Sequence, residues 1–234
     1  MVIPVLVALD VASLEQAETL ARRLLGRVAG FKVGLELLMG HGPQAVGRVA
    51  SLGSPVFADA KLHDIPNTVE AAARQLAKAG ARWVTVHGAG GRETVTAAVA
   101  GLSEASDGRA GALVVTALTS LDDRDLAEVG MAGTVSEQVK RMALLAAKAE
   151  AEGVICAPKE AVMVKAVAPE LLVVTPGIRL RGADTHDQKR VSTPAEALRA
   201  GADLLVMGRA ITGAADPVAA VGELESDLGL SGLL

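Results

Sequence analysis

The stretch Pro55-Val56-Phe57-Ala58-Asp59-Ala60, then the Ala-rich run from Thr68 to Ala79, then Trp83-Val84-Thr85-Val86-His87, decides the fold. Two short apolar runs rich in β-branched residues flank one segment of helical period, the pattern of two parallel strands joined by a crossover helix. The same alternation extends outward to both ends of the chain. Strands are predicted at Val2 to Leu9, Gly30 to Val33, Pro55 to Ala60, Trp83 to His87, Ala112 to Ala117, Gly153 to Ala157, Leu171 to Thr175 and Leu204 to Met207. Helices are predicted near Leu14 to Leu25, Leu35 to Ser51, Thr68 to Ala79, Arg92 to Leu102, Thr134 to Ala151, Lys159 to Ala168, Thr193 to Ala200 and Asp216 to Leu228. Ser13 with Gln16 and Thr193 with Glu196 carry helix-capping signals. Eight strand-then-helix units in 234 residues suit a closed barrel better than an open doubly wound sheet. The expected fold is therefore α/β, a single (β/α)8 TIM barrel spanning residues 1–234, with Thr119 to Gly133 and Pro176 to Ser192 as loops.

Composition narrows the function classes. The formal charge of -4, with basic residues scattered among acids, provides no broad basic field, so nucleic acid and anionic membrane are not expected partners. Two Phe, one Trp and no Tyr leave no aromatic platform for stacking bases or sugars, so recognition must be polar. The single Cys156 cannot form an internal disulfide, and Met1 to Leu9 lacks the basic region and long apolar stretch of a signal peptide. No apolar run reaches the roughly 18 residues of a membrane span. A cytoplasmic protein is the expectation.

A barrel places its chemistry at the C-terminal ends of the strands. There, Asp59 and Lys61 stand two residues apart, which on an extended strand puts both on one face, at the mouth. Asp64 follows after a short turn, and Pro66 holds Ile65 extended. Lys32 lies within an apolar strand and Asp10 ends another, positions where a charge is costly unless paired. Such convergence suits a reaction site better than a salt-bridge network closing the barrel. At an effective dielectric of about 20, each contact near 4 Å is worth roughly 4 kcal/mol. A lysine between carboxylates is stabilised in its charged form, which suits a proton donor rather than a Schiff-base nucleophile. A carboxylate beside an anionic substrate would raise the ground-state energy until the substrate lost its own carboxylate.

A second constellation follows the last strand, where Gly208-Arg209 opens a candidate helix turn. Barrels frequently hold phosphate there, using backbone N–H groups and a forked guanidinium. The loop beginning Pro176-Gly177-Ile178-Arg179 adds a second arginine and, at Gln188, an amide. The glycine-rich turn His87-Gly88-Ala89-Gly90-Gly91 reads as a tight connection, and Cys156 reads as core. Neither the histidines nor the cysteine show metal-ligand spacing, so no metal site is expected.

Asp59-Ala60-Lys61-Leu62-His63-Asp64-Ile65-Pro66-Asn67-Thr68 resembles the signature of the orotidine 5'-phosphate decarboxylase family, bacterial type. Pro176-Gly177-Ile178-Arg179 and Met207-Gly208-Arg209 are similar to its phosphate end, in matching order along essentially the whole chain. The Asp-x-Lys-x-x-Asp core is shared with sister decarboxylases and synthases; the Ile-Pro-Asn-Thr continuation and Gln188 are not expected there. The resemblance implies decarboxylation of orotidine 5'-monophosphate to uridine 5'-monophosphate in de novo pyrimidine biosynthesis, without cofactor. It implies Lys61 as the acid that protonates C6, with Asp59, Asp64 and Lys32 completing the catalytic array. Asp10 and Lys32 would hold the ribose, Thr119 the pyrimidine, and Arg179, Gln188, Gly208 and Arg209 the phosphate. It further implies a homodimer in which Asp64 and Thr68 complete the partner's site, and the loop from Gly177 to Lys189 is expected to close over the phosphate. Two alternatives stand beside this reading: a magnesium-dependent sister enzyme acting on a sugar phosphate, and a phosphate-sensing barrel without turnover, against which the intact Lys61 argues.

Overall fold

In the computed structural model, which describes residues 2–178 and 192–229, eight parallel strands close into a barrel in sequence order. The strands are β1 (Ile3–Ala8), β2 (Val28–Val33), β3 (Val56–Leu62), β4 (Trp83–His87), β5 (Gly111–Val115), β6 (Gly153–Ile155), β7 (Leu172–Thr175) and β8 (Leu204–Met207). Closure comes from β8 pairing with β1, where Val5, Leu6 and Val7 stand opposite Leu205, Val206 and Met207. Most strand residues are buried on both faces, apart from the mouth end of β3 and alternate residues of β8, which is why the strands read as largely continuous apolar runs.

Alternate residues divide between two cores. Leu6, Phe57, Trp83, Leu113, Val115, Ile155 and Val174 point inward and fill the barrel. Their neighbours, among them Val5, Val7, Phe31, Val56, Val84 and Val114, point outward beneath the helices. Burying each such side chain contributes about 1.5–3 kcal/mol relative to exposure. The outer layer consists of α1 (Leu14–Leu24), α2 (Leu35–His41), α3 (Gln44–Ala50), α4 (Pro66–Lys78), α5 (Arg92–Ser106), α6 (Asp123–Glu128), α7 (Val135–Lys148), α8 (Ala161–Val167), α9 (Pro194–Arg199), α10 (Arg209–Thr212) and α11 (Pro217–Asp227). Both capping signals are realised: Ser13 accepts from the Gln16 amide at 3.2 Å, and Thr193 and Glu196 form a reciprocal capping box. Among the described residues no helix is long and apolar enough to cross a membrane.

Several strand ends differ from the sequence expectation by one or two residues, as where β5 and β6 stop at Val115 and Ile155, and three departures go further in consequence. The helix expected from Leu35 to Ser51 is two, because Gly42 turns left-handed at φ 61° and Pro43, which has no N–H to donate, caps the second. The segment Thr119 to Gly133, expected as a loop, contains α6, nucleated by a capping box between Asp122 and Asp125. Strand β3 runs two residues past the expected end at Ala60, to Leu62, and it does so irregularly: Ala58 pairs with Val84 and Leu62 with Val86. Three residues of β3, Asp59, Ala60 and Lys61, therefore face the single residue Thr85 of β4.

Candidate active site

The C-terminal ends of the strands surround a cavity of about 480 Å³. Its floor is apolar, built from Phe57, Val115, Ile155 and Val206, which the inward period of the strands delivers. Its wall carries Asp10, Lys32, Asp59, Lys61, Thr119, Gly208 and Arg209, all expected from the sequence, together with Leu118, Gly177 and Thr212. Arg209 opens α10 one step beyond Gly208, and Thr212 ends the same helical turn.

Four charges form an alternating chain across the ends of three strands, with Asp10 two residues past β1. The Lys32 ammonium lies 2.9 Å from Asp10 and 3.7 Å from Asp59, and the Lys61 ammonium lies 2.5 Å from Asp59. Two cations and two anions thus occupy one wall, which lets a nearly buried Lys32 side chain stay paired. Burial pushes the Asp59 carboxyl up, but Lys61 and Lys32 as charges, with hydrogen bonds from Lys61 and Thr85, hold it below the usual carboxylate value.

Asp59 and Lys61 do share the mouth, although not through extended spacing. Lys61 has a left-handed φ of 52°, and the irregular stretch rather than two regular strand steps turns its side chain onto Asp59. Ala60 packs instead into the outer core. Thr85, fully buried on β4, accepts a hydrogen bond from the Lys61 amide at 2.8 Å and donates one to Asp59 Oδ1 at 3.0 Å. The sequence reading missed Thr85; the signal was a hydroxyl on the inward period of a strand whose other members are Trp83 and His87.

Asp64 and Thr68 do not join the cavity wall. Both are exposed, and the Asp64 carboxylate accepts from the Ile65 amide at 2.7 Å at the start of α4. His63 stacks on His87 with ring centroids 5.1 Å apart. Burial, the neighbouring His63 and the Lys61 charge lower the His87 pKa, and Asp59 only partly opposes them. Gly88 is buried against Met142 and Val114, so the glycine-rich turn is a packing connection as expected. Arg179, Gln188 and most of the Gly177 to Lys189 loop lie outside the described residues. The ends of that segment meet at an isolated bridge between Ile178 and Ser192, beside the cavity lining at Pro176 and Gly177.

Fold and site together define a (β/α)8-barrel enzyme whose strand ends present a paired lysine and carboxylate array above an apolar floor. The Orotidine 5'-phosphate decarboxylase / HUMPS family model matches residues 4–224. The chain is 46% identical to the orotidine 5'-phosphate decarboxylase of Paramagnetospirillum magneticum, over 98% of this chain and 100% of that one. It is 50% identical to the enzyme of that name from an Anaeromyxobacter species, over 94% and 96%. Among solved structures, orotidine 5'-phosphate decarboxylase from Lactobacillus acidophilus superimposes with a TM-score of 0.84 at 36% identity, covering 96% of this chain and 98% of that one. The Pyrococcus horikoshii enzyme gives 0.76 at 26% identity, covering 96% and 99%. The chain belongs to the orotidine 5'-phosphate decarboxylase family and is a carboxy-lyase.

Proposed function

We propose that this enzyme converts orotidine 5'-monophosphate to uridine 5'-monophosphate in pyrimidine biosynthesis, with no metal or cofactor, and that Lys61 is the acid. The observation that carries the reading is the Lys61 ammonium held 2.5 Å from Asp59 on the wall of a cavity whose rim also bears Arg209. As the bond from C6 to the carboxylate breaks, its electron pair stays on C6 and carbon dioxide leaves. The ammonium stabilises that charge and transfers a proton from Nζ to C6, and the amine regains its proton from solvent. Asp59, kept ionised by its two lysines, repels the substrate carboxylate before the bond breaks and loses that repulsion afterwards.

Asp10 and Lys32 take the ribose hydroxyls, Thr119 the pyrimidine, and Gly208 and Arg209 the phosphate, with Arg179 and Gln188 assigned to the phosphate by motif alone. Phosphate contacts lie away from the reacting carbon, so their binding energy can support the chemical step. The enzyme works as a homodimer in which exposed Asp64 and Thr68 complete the neighbour's array, and the lone, buried Cys156 suits the reducing cytoplasm.

The test is turnover of orotidine 5'-monophosphate by enzyme treated with EDTA, beside a Lys61→Ala variant. Activity should survive the chelator, and the variant should lose on the order of 10²–10⁴-fold in kcat, the usual contribution of a positioned acid, while still binding product. Strict dependence on magnesium, or near-normal turnover by the variant, would sink the reading.

A further inference from the structure

The Lys61 backbone amide is held by a hydroxyl that does not line the cavity. Over the irregular stretch of β3, the register jumps from Ala58 opposite Val84 to Leu62 opposite Val86. A regular parallel ladder would give alternate amides of this stretch carbonyl partners on β4. Here the Lys61 N–H instead donates to Thr85 Oγ1 at 2.8 Å, with Lys61 in the left-handed region that L residues rarely occupy. Such a backbone persists only where its surroundings over-determine it.

The same hydroxyl then donates to Asp59 Oδ1 at 3.0 Å, and that oxygen also accepts from Lys61 Nζ at 2.5 Å. Backbone amide, hydroxyl, carboxylate and ammonium thus close one ring that begins and ends on Lys61. A hydroxyl has one proton to give and lone pairs to receive, and this arrangement uses both. Its donation also sets the roles of the two carboxylate oxygens: Oδ1 serves Lys61, and Oδ2 faces Lys32 at 3.7 Å. Thr85 is fully buried and absent from the cavity lining, and β-branching on a strand restricts its χ1.

We infer that Thr85 is a positioning residue for the decarboxylation, fixing where the Lys61 ammonium and the Asp59 carboxylate stand relative to the reacting carbon. This rests on Lys61 being the acid. Thr85→Val keeps shape and volume but removes the hydroxyl, leaving the Lys61 amide without its acceptor and Asp59 without one donor. The expected result is a loss in kcat on the order of tenfold to a hundredfold, as for a reacting group displaced by a fraction of an ångström to one ångström. KM and product affinity should change little, because Thr85 makes no contact with the cavity. Thr85→Ser should recover most of the kcat, and Thr85→Ala should not.

A second readout does not depend on turnover. Hydrogen exchange at the Lys61 amide should be slow in the wild type and in Thr85→Ser, and fast in Thr85→Val and Thr85→Ala. Wild-type kcat in Thr85→Val, or equal activity in the Ser and Ala variants, would overturn the inference while leaving the decarboxylase reading intact. Unchanged Lys61 amide exchange in the variants would overturn it even if the wild type failed to act on orotidine 5'-monophosphate. If Thr85→Val folds poorly, the Ser and Ala pair still isolates the hydroxyl.

Discussion

Lys32 Nζ and Asp10 Oδ1, 2.9 Å apart, meet in space that exists only because residue 34 has no side chain. A Cβ on Gly34 would fall 2.7 Å from the ammonium nitrogen and 2.8 Å from the carboxylate oxygen. Both atoms are the far ends of flexible side chains, so the backbone can accept the methyl group while the ion pair cannot stay where it is. Gly34→Ala should therefore unfold within about 1 kcal/mol of the wild type, yet lose about tenfold in kcat/KM if these groups hold the ribose. Urea unfolding and steady-state kinetics on one preparation separate the two effects; unchanged kinetics would show that the pair's position is not used.

A second prediction follows from the charge on Asp59. Burial alone would raise its pKa, and the lysines and their hydrogen bonds reverse that, so the carboxyl stays ionised below its ordinary value of 3.8. A depressed carboxyl contributes stability that is complete above the unfolded-state pKa, about 3.9, and is lost as pH falls through the lower folded-state value. The wild type should accordingly keep this contribution through mild acid. Lys32→Met removes one lowering charge and leaves the burial, so the carboxyl rises. The acid limb of its kcat profile should move to higher pH than in the wild type, and acid unfolding should begin earlier. Superimposable acid limbs would refute this assignment of the charge balance.

How much of this was legible in the sequence depends on whether the signal was periodic. The inward set from Leu6 to Val174 and the outward set from Val5 to Val114 follow the two-residue period of a strand, and the barrel was readable from that repetition. Pairing of Lys32 with Asp10 was readable from the cost of a lone charge in an apolar strand. The geometry joining Asp59 to Lys61 was not. An extended strand and an enlarged bulge can both bring residues two apart to one face, and only the Thr85 register distinguishes them. Thr85 itself looks like any β-branched strand residue. The stop signals at Gly42 and Pro43 were present but were outweighed by the apolar periodicity on either side. Asp64 was picked out by its place just past Lys61, but its service to a partner's site came only from family resemblance, since within one chain it faces solvent.

The opposite end of the barrel offers a control for these active-site variants. Glu152, just before β6, accepts from Arg82 at 2.5 and 2.6 Å and from the Trp83 indole N–H at 2.9 Å, while the Arg82 guanidinium lies 4.6 Å from the Trp83 ring centre. The strands run parallel, so this cluster lies at the N-terminal mouth, at the start of β4 rather than at the end that bears His87. Glu152→Ala leaves a mostly buried indole donor and a stacked cation without their acceptor. The cost should be about 1 kcal/mol, towards the low end of the range for a lost buried acceptor because the ion pair is partly solvated. In a chain of this size that corresponds to a fall in Tm of about 2–4 °C. kcat and KM should not change; a kinetic defect would mean that the two mouths of the barrel are coupled.

The proposed exchange of Asp64 between subunits can be tested by complementation. Lys61→Ala and Asp64→Asn homodimers should each be nearly inactive, because each carries the same defect in both sites. In a mixed dimer of the two, one site combines both substitutions, and the other combines an intact Lys61 from one subunit with an intact Asp64 from its partner. If equal amounts exchange subunits at random, half the dimers are mixed and half of their sites are intact, so activity should return to about a quarter of the wild-type level. If Asp64 serves the chain that bears it, each site in the mixed dimer keeps one defect and mixing restores nothing. Mixing under mild denaturant followed by refolding, with separately refolded parents as the baseline, distinguishes these outcomes in one assay. Recovery would also place the exposed start of α4 at the subunit interface, a position for Asp64 and Thr68 that their absence from their own chain's cavity wall supports.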